Sequence, residues 1–262
     1  MRLLARTSVT LSAMARIVMV HGAGNSLWGP ASIRARWYPA LSDGLAWHGR
    51  EVSVSDVEVA FYGDLFRKDP ERSYDPHLDI REMLANASDV LKAHDHDVDL
   101  DELVKMLSEQ HLDRLLAQAG AYLEDANIRR RAQERLEALI GHDTEVVIAH
   151  SLGSLVAYET LCRHPEWDVT GLITLGSPLG GEMILDLLDP APHEGRGRFP
   201  DGVKRWVNIR NADDPACIRP LSEVFDGPVT ERLVDNGHRV HDPEPYLNNA
   251  TTGGAVADMV AP

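Results

Sequence analysis

The sequence predicts one α/β domain built on a mainly parallel sheet of about six strands, with helices on both faces. Two observations carry this expectation. Short apolar runs rich in Val, Ile and Leu alternate with longer amphipathic stretches, the pattern of a parallel sheet covered on both sides. The length of 262 residues suits a single domain of this class with a large core. No internal repeat or low-complexity tract interrupts the pattern.

The elements follow in order. Residues 16–20, Arg-Ile-Val-Met-Val, form a compact apolar strand that runs into His21-Gly22-Ala23-Gly24. Glycines there let the backbone approach a ligand closely and turn an N–H inward. A strand followed by Gly-x-Gly is shared with dinucleotide-binding loops. The fingerprint fails here, because position 27 is Leu and no acidic residue ends a strand about twenty residues on. Another strand ends at Phe61-Tyr62-Gly63, and a long helix is expected over residues 126–140.

The next unit carries the most information. Glu145-Val146-Val147-Ile148 is a strand, residues 155–161 are a helix, and Ala149-His150-Ser151-Leu152-Gly153 joins them. A serine at a sharp turn between strand and helix is lifted clear of the sheet, with the helix N-terminus behind it. Small residues two before and two after let the chain turn tightly. Ser151 is therefore a candidate nucleophile; the plainer alternative is a helix N-cap.

A serine nucleophile needs a base, a carboxylate to orient that base, and donors for an oxyanion. Downstream strands supply candidates. Residues 203–210 alternate like a strand and end in Asn211-Ala212-Asp213-Asp214-Pro215. Asp214 precedes a proline, which favours extended geometry and a turn; Asp213 is its rival, and both could be simple turn formers. Residues 232–235 form a short strand, and the loop after it holds His238 and His241. The chain order Ser, Asp, His is that of hydrolases built around such an elbow. The N–H groups of Ala23 and Leu152 are the candidate oxyanion donors.

These residues resemble the α/β-hydrolase superfamily, of the lipase and esterase kind with a serine nucleophile. More narrowly the chain is similar to a group of bacterial α/β-hydrolases. The resemblance rests on His21 to Gly24, on Phe-Tyr-Gly-Asp-Leu-Phe at 61–66, and on His150 to Gly153 with Tyr158-Glu159. It continues through Thr-Leu-Gly-Ser-Pro-Leu-Gly at 174–180, Val-Asp-Asn-Gly at 234–237, His241-Asp242 and Pro-Tyr-Leu at 245–247. It covers nearly all of the chain after the first fifteen or so residues. It implies an α/β-hydrolase fold without the early hairpin of larger members, and it favours His241 over His238 and Asp214 over Asp213. One departure is Ala149, where glycine is usual and alanine is the common variant. Dehalogenase and epoxide hydrolase relatives place Asp where this chain has Ser151.

The resemblance implies a serine hydrolase acting on a small-molecule carboxylic ester or related acyl substrate through an acyl enzyme. Two alternatives stand beside it: acyl transfer from the same intermediate, and a non-catalytic binding protein of the same fold. The intact Ser, Asp, His set argues against the second. Ser177-Pro178 is expected to shape a pocket wall.

Residues 64–113 carry fourteen acidic against six basic side chains, more than half of the net charge of −15. In this fold they are expected to form a helical insertion at the C-terminal edge of the sheet, as a lid above Ser151 or as a hairpin packed at the side. Met83, Leu84, Val90 and Leu91 would give one apolar face, and Leu103, Met106 and Leu107 another. His94-Asp95-His96-Asp97, with Asp99 and Asp101, are metal-ligand types, but their spacing repeats no zinc or calcium pattern. Such a run is usually a solvated linker. No metal and no cofactor are expected.

The acidic balance argues against nucleic acid or an anionic membrane surface as a partner. No segment approaches the run of about 18 apolar residues that spans a bilayer. Cys162 and Cys217 suit a reducing compartment, and Cys162 is expected in the core. The expected domain is 15–262. Residues 1–14 begin like a signal peptide that Arg6 interrupts, and are expected to be a loose extension or to precede a start at Met14. A cytoplasmic location is expected.

Overall fold

A computed structural model describes residues 15–67 and 117–261. The expectations for residues 1–14 and for nearly all of the 64–113 stretch, including the His94–Asp101 run, lie outside those residues.

Among the described residues, six strands make one sheet: β1 (Ile17–Val20), β2 (Val57–Ala60), β3 (Val146–His150), β4 (Val169–Leu175), β5 (Val203–Asn211) and β6 (Val229–Val234). Their order is β2-β1-β3-β4-β5-β6, and every neighbouring pair is parallel. The expected strand count and the parallel arrangement are both observed.

The central strands have no polar face, because helices cover them on both sides. Ile17 and Met19 of β1 enter one apolar cluster, and Val18 and Val20 enter the other. Val146 and Ile148 of β3 divide in the same way from Val147 and Ala149. Each fully buried Val or Ile contributes about 1.5–3 kcal/mol relative to an exposed one, so these short strands are fixed by burial rather than by length.

One face packs against α1 (Pro30–Ala46), α6 (Pro243–Leu247) and α7 (Ala250–Ala257). The other packs against α2 (Ala126–Glu137) and α3 (Leu152–Arg163), with residues 117–124 also helical. Short helices α4 (Glu182–Leu185) and α5 (Leu221–Val224) lie in the connections after β4 and β5. Local chemistry marks the helix starts. Asp125 caps α2 by accepting from the N–H groups of Asn127 (2.8 Å) and Ile128 (3.2 Å). Pro30 opens α1, where a missing N–H costs nothing.

Glu159, in the middle of α3, is fully buried. It accepts from the hydroxyl of Tyr122 (2.6 Å), Arg129 Nε (2.8 Å), Gln133 Nε2 (2.9 Å) and the Asp189 N–H (3.0 Å). A buried carboxylate without such partners would cost several kcal/mol. Glu159, of the Tyr158-Glu159 pair read from the sequence, is thus a structural lock, tying α3 to α2 and to the helical residues 117–124. Cys162 lies in the core, as expected.

The chain runs from β1 to β2 on one side, then crosses back to β3 on the other. The order therefore reverses between β1 and β3. In an open parallel sheet the loops diverge at such a point and leave a crevice at the C-terminal strand ends. The loop after β1 begins with His21, and the turn after β3 holds Ser151.

Candidate active site

Ser151 sits between the last residue of β3 and the first of α3 with φ 53° and ψ −125°. That left-handed φ is strained for a residue with a Cβ and costs on the order of 1–3 kcal/mol. Surrounding contacts impose it. The Ser151 N–H donates to Leu175 O at 3.0 Å. A Cβ on Gly153 would come within 2.4 Å of Val20 O, so only glycine lets α3 cross the end of β1 this closely. A Cβ on Gly22 would lie 2.8 Å from the Ser151 Cβ. The elbow and the loop after β1 are thus packed backbone against backbone.

Asp214 follows β5. The Asp213 N–H donates to Asn211 Oδ1 (3.0 Å) and the Asp214 N–H to Asn211 O (3.2 Å), which turns Asp214 inward and leaves Asp213 exposed. The Asp214 carboxylate is buried and accepts three sets of hydrogen bonds. They come from His241 Nδ1 (2.9 Å to each oxygen), the Tyr246 hydroxyl (2.7 Å) and the Ala216 N–H (2.9 Å). Burial alone would raise its pKa. His241 and the other donors outweigh that and hold the carboxyl below its usual range.

His241 comes from the loop after β6. That loop is built by the Val-Asp-Asn-Gly run: Asp235 Oδ1 accepts from the Gly237 N–H (2.8 Å), Gly237 is left-handed at φ 57°, and Asn236 Nδ2 donates to Val240 O (3.2 Å). His238 points into solvent. His241 Nε2 lies 2.9 Å from Ser151 Oγ. Asp214 accepts only, so the Nδ1 beside it carries the proton and Nε2 faces the serine with its lone pair. Ser151, His241 and Asp214 are therefore linked in an unbroken chain of hydrogen bonds. Each comes from the C-terminal end of a different strand.

The loop after β1 supplies backbone donors. Asn25 Nδ2 donates to Gly22 O (3.0 Å) and Ala23 O (3.2 Å), and the Gly24 N–H donates to Gln118 Oε1 (2.9 Å). Arg67 straps the next residues through Ser26 O (2.6 Å) and Trp28 O (3.1 Å). The Ala23 N–H has no acceptor among the described residues. Leu152 opens α3, so its N–H has no partner within the helix. His21 is buried, its Nδ1–H donates to Gly22 O (2.8 Å), and its Nε2 accepts from the Tyr62 N–H (3.2 Å). Burial lowers its pKa to about 4, so it stays neutral and structural.

A hydroxyl whose proton can pass to an imidazole, itself paired with a carboxylate, can act as a nucleophile. The sequence candidates Ser151, Asp214 and His241 are brought together, and Asp213 and His238 are not. Ser177 is buried, and its Oγ accepts from the Leu179 N–H (3.3 Å).

Sequence reasoning gave no role to Tyr246. Its hydroxyl donates to Asp214 and accepts from the Asn211 N–H (2.9 Å). Gly176 was missed as well. At φ 54°, a Cβ there would lie 2.9 Å from Asp214 Oδ2 and 3.3 Å from His241 Nδ1. Both residues fall inside the motifs at 174–180 and 245–247, but spacing alone does not say which way they face.

A cavity of about 640 Å³ opens elsewhere, beside the N-terminal ends of β5 and β6 near Lys204 and Thr230; Ser151 does not line it. Among the described residues no cluster of three or more His, Cys, Asp or Glu could hold a metal ion. Among them, too, no helix is long and apolar enough to cross a membrane.

No family model and no curated protein matches the chain. Solved structures do. One is the crystal structure of the esterase domain of a Rhodothermus marinus protein, 14% identical, with a TM-score of 0.36 over 95% of this chain and 87% of that one. A likeness of that size says nothing of this chain's activity.

Proposed function

We propose that the protein is a serine hydrolase of the α/β-hydrolase kind, acting on a carboxylic ester or related acyl substrate. The observation that carries this reading is the hydrogen-bonded chain from Ser151 Oγ through His241 to Asp214. The strained elbow, the N–H groups of Ala23 and Leu152 beside it, which have no acceptor among the described residues, and the topological switch point support it.

In this mechanism His241 Nε2 takes the hydroxyl proton as Ser151 Oγ attacks the acyl carbonyl. The oxyanion lies against the N–H groups of Ala23 and Leu152. The imidazolium, paired with Asp214, returns its proton to the leaving alcohol as the C–O bond breaks. Water then attacks the acyl enzyme, gives its proton to His241, and the acid departs as Ser151 recovers its own. Asp214 holds the tautomer that leaves Nε2 free to accept.

The test is turnover of p-nitrophenyl esters of increasing chain length by the wild type and by Ser151→Ala, His241→Ala and His238→Ala. Loss of a member of such a unit costs on the order of 10⁴ to 10⁶ in kcat. Ser151→Ala and His241→Ala should lose activity on that scale, and His238→Ala at most several-fold. Retention of more than a tenth of wild-type turnover by Ser151→Ala on every ester would refute the assignment.

A further inference from the structure

We propose that His150, the residue before Ser151, is a positioning residue that holds the His241 loop against the end of β3 and so keeps the His241 imidazole within reach of Ser151. This inference rests on the reading of Ser151, His241 and Asp214 given above.

The His150 ring is buried, and its Nε2 lies 2.7 Å from the backbone oxygen of His241. A carbonyl can only accept, so the ring carries its proton on Nε2 and leaves Nδ1 bare. That Nδ1 is 3.0 Å from where a Gly22 Cβ would stand, so the ring fits because position 22 has no side chain. The ring centroid lies 4.9 Å from that of His241, 6.1 Å from that of Trp37 and 6.2 Å from that of Tyr246. One side chain thus meets the loop that carries Ala23, the elbow and the loop of His241.

The other bonds to the main chain of the His241 loop run within it: Asp235 to Gly237, Asn236 to Val240, Arg239 to Asn236, and Asp242 to Arg239. They set the loop's form but do not attach it to the sheet. Among the described residues, the bond from His150 is the one by which the His241 main chain is held from outside its own loop. It is made by the residue next to Ser151. The two reacting groups are therefore referenced to each other through one short backbone-anchored path.

The bond does not switch with pH. His241, Asp214 and His21 are the titratable groups acting on the ring. Burial, aided by His241, lowers the His150 pKa to about 3, so it stays a neutral donor at neutral and mildly acidic pH. It is not a second base, because its bare nitrogen faces Gly22.

The experiment compares the full chain carrying His150→Gln and His150→Leu. Glutamine reaches about as far as the imidazole Nε2 and ends in an N–H donor; leucine fills the space without one. A misplacement of about 1 Å at a reacting group costs on the order of 100-fold in rate, so His150→Leu should lose roughly 10- to 100-fold in kcat on p-nitrophenyl acetate. Its KM should stay within about threefold, since the buried His150 side chain meets no substrate. Its acid limb of kcat/KM against pH should move, because the His241–Asp214 pair is no longer held in place. His150→Gln should restore both the rate and the limb, which a residue that only fills space would not require. The inference is overturned if His150→Leu keeps more than half of wild-type kcat with the same acid limb, or if glutamine is no better than leucine.

Should the leucine variant not fold, nitrogen-15 spectra of the wild type decide. A His150 ring protonated on Nε2 and silent to titration supports the inference, and one protonated on Nδ1 or titrating near neutrality overturns it. The parent reading fails separately. If the wild type hydrolyses no ester and takes no fluorophosphonate label, the hydrolase assignment falls and the positioning role falls with it.

Discussion

Replacing Tyr246 with phenylalanine removes one oxygen from the back of the site and touches nothing a substrate would meet. Besides a long contact with Cys217 Sγ (4.0 Å), the hydroxyl makes two short buried hydrogen bonds, donating to Asp214 Oδ2 at 2.7 Å and accepting from the Asn211 N–H at 2.9 Å. A hydrogen bond to a charged group is worth about 1.5–3 kcal/mol, and an orphaned buried N–H costs about 1–3 kcal/mol. The two effects share one atom and overlap. Tyr246→Phe should therefore lose about 3 kcal/mol of stability. Urea unfolding with an unchanged m-value measures it. The same loss strips the Asp214 carboxylate of one of the donors that hold its pKa down. Its pKa should rise, and kcat should fall on the order of 10-fold as its support of the His241 imidazolium weakens. A stability loss under about 0.5 kcal/mol, or an unchanged kcat, would refute the claim that the tyrosine holds the acid in place.

Three further outcomes follow from the same geometry. Gly176→Ala places a methyl between Asp214 and His241 at a left-handed backbone position, and should cut kcat on the order of 10- to 100-fold, read by ester turnover. Ser151→Gly should abolish turnover yet raise the urea midpoint, because it relieves a strain on the order of 1–3 kcal/mol that Ser151→Ala retains. Acid should destabilise the fold through His21 and His150. Their folded pKa values, about 4 and about 3, lie below the unfolded value of 6.5. The unfolded chain thus takes up protons first. Stability is complete above that unfolded value and falls as pH drops towards the folded ones, by about 2 kcal/mol for each histidine at about pH 5. Unfolding at a series of pH values checks this, and His150→Gln should remove about half of the loss.

Much of this site was legible in the sequence because its parts obey local rules. A sharp turn between a strand and a helix demands small residues, and Ala149 and Gly153 announce it. The acid and the base each follow a strand, so hydropathy brackets them within a few residues. Choosing between Asp213 and Asp214, or between His238 and His241, needed more than composition, since neighbours in a turn have the same propensities and opposite directions. In the structure that choice is made by Asn211 and by the Asp235-Asn236-Gly237 turn, through hydrogen bonds to backbone. The supporting contacts were not legible. Tyr246, Gly176 and His150 act across gaps of tens of residues, and nothing in their own segments signals the partner. Glu159 looked like part of a motif, and its meaning came only from Tyr122, Arg129 and Gln133 on other helices.

The proposed role of Ser151 is that of a nucleophile activated by His241. The direct measurement is reaction of the folded protein with a fluorophosphonate, followed by mass mapping of the modified residue. One adduct is expected, on Ser151, formed in the wild type and in His238→Ala and lost in His241→Ala. An unlabelled Ser151 in folded wild-type protein, or an adduct on another serine such as Ser154 or Ser177, would contradict it.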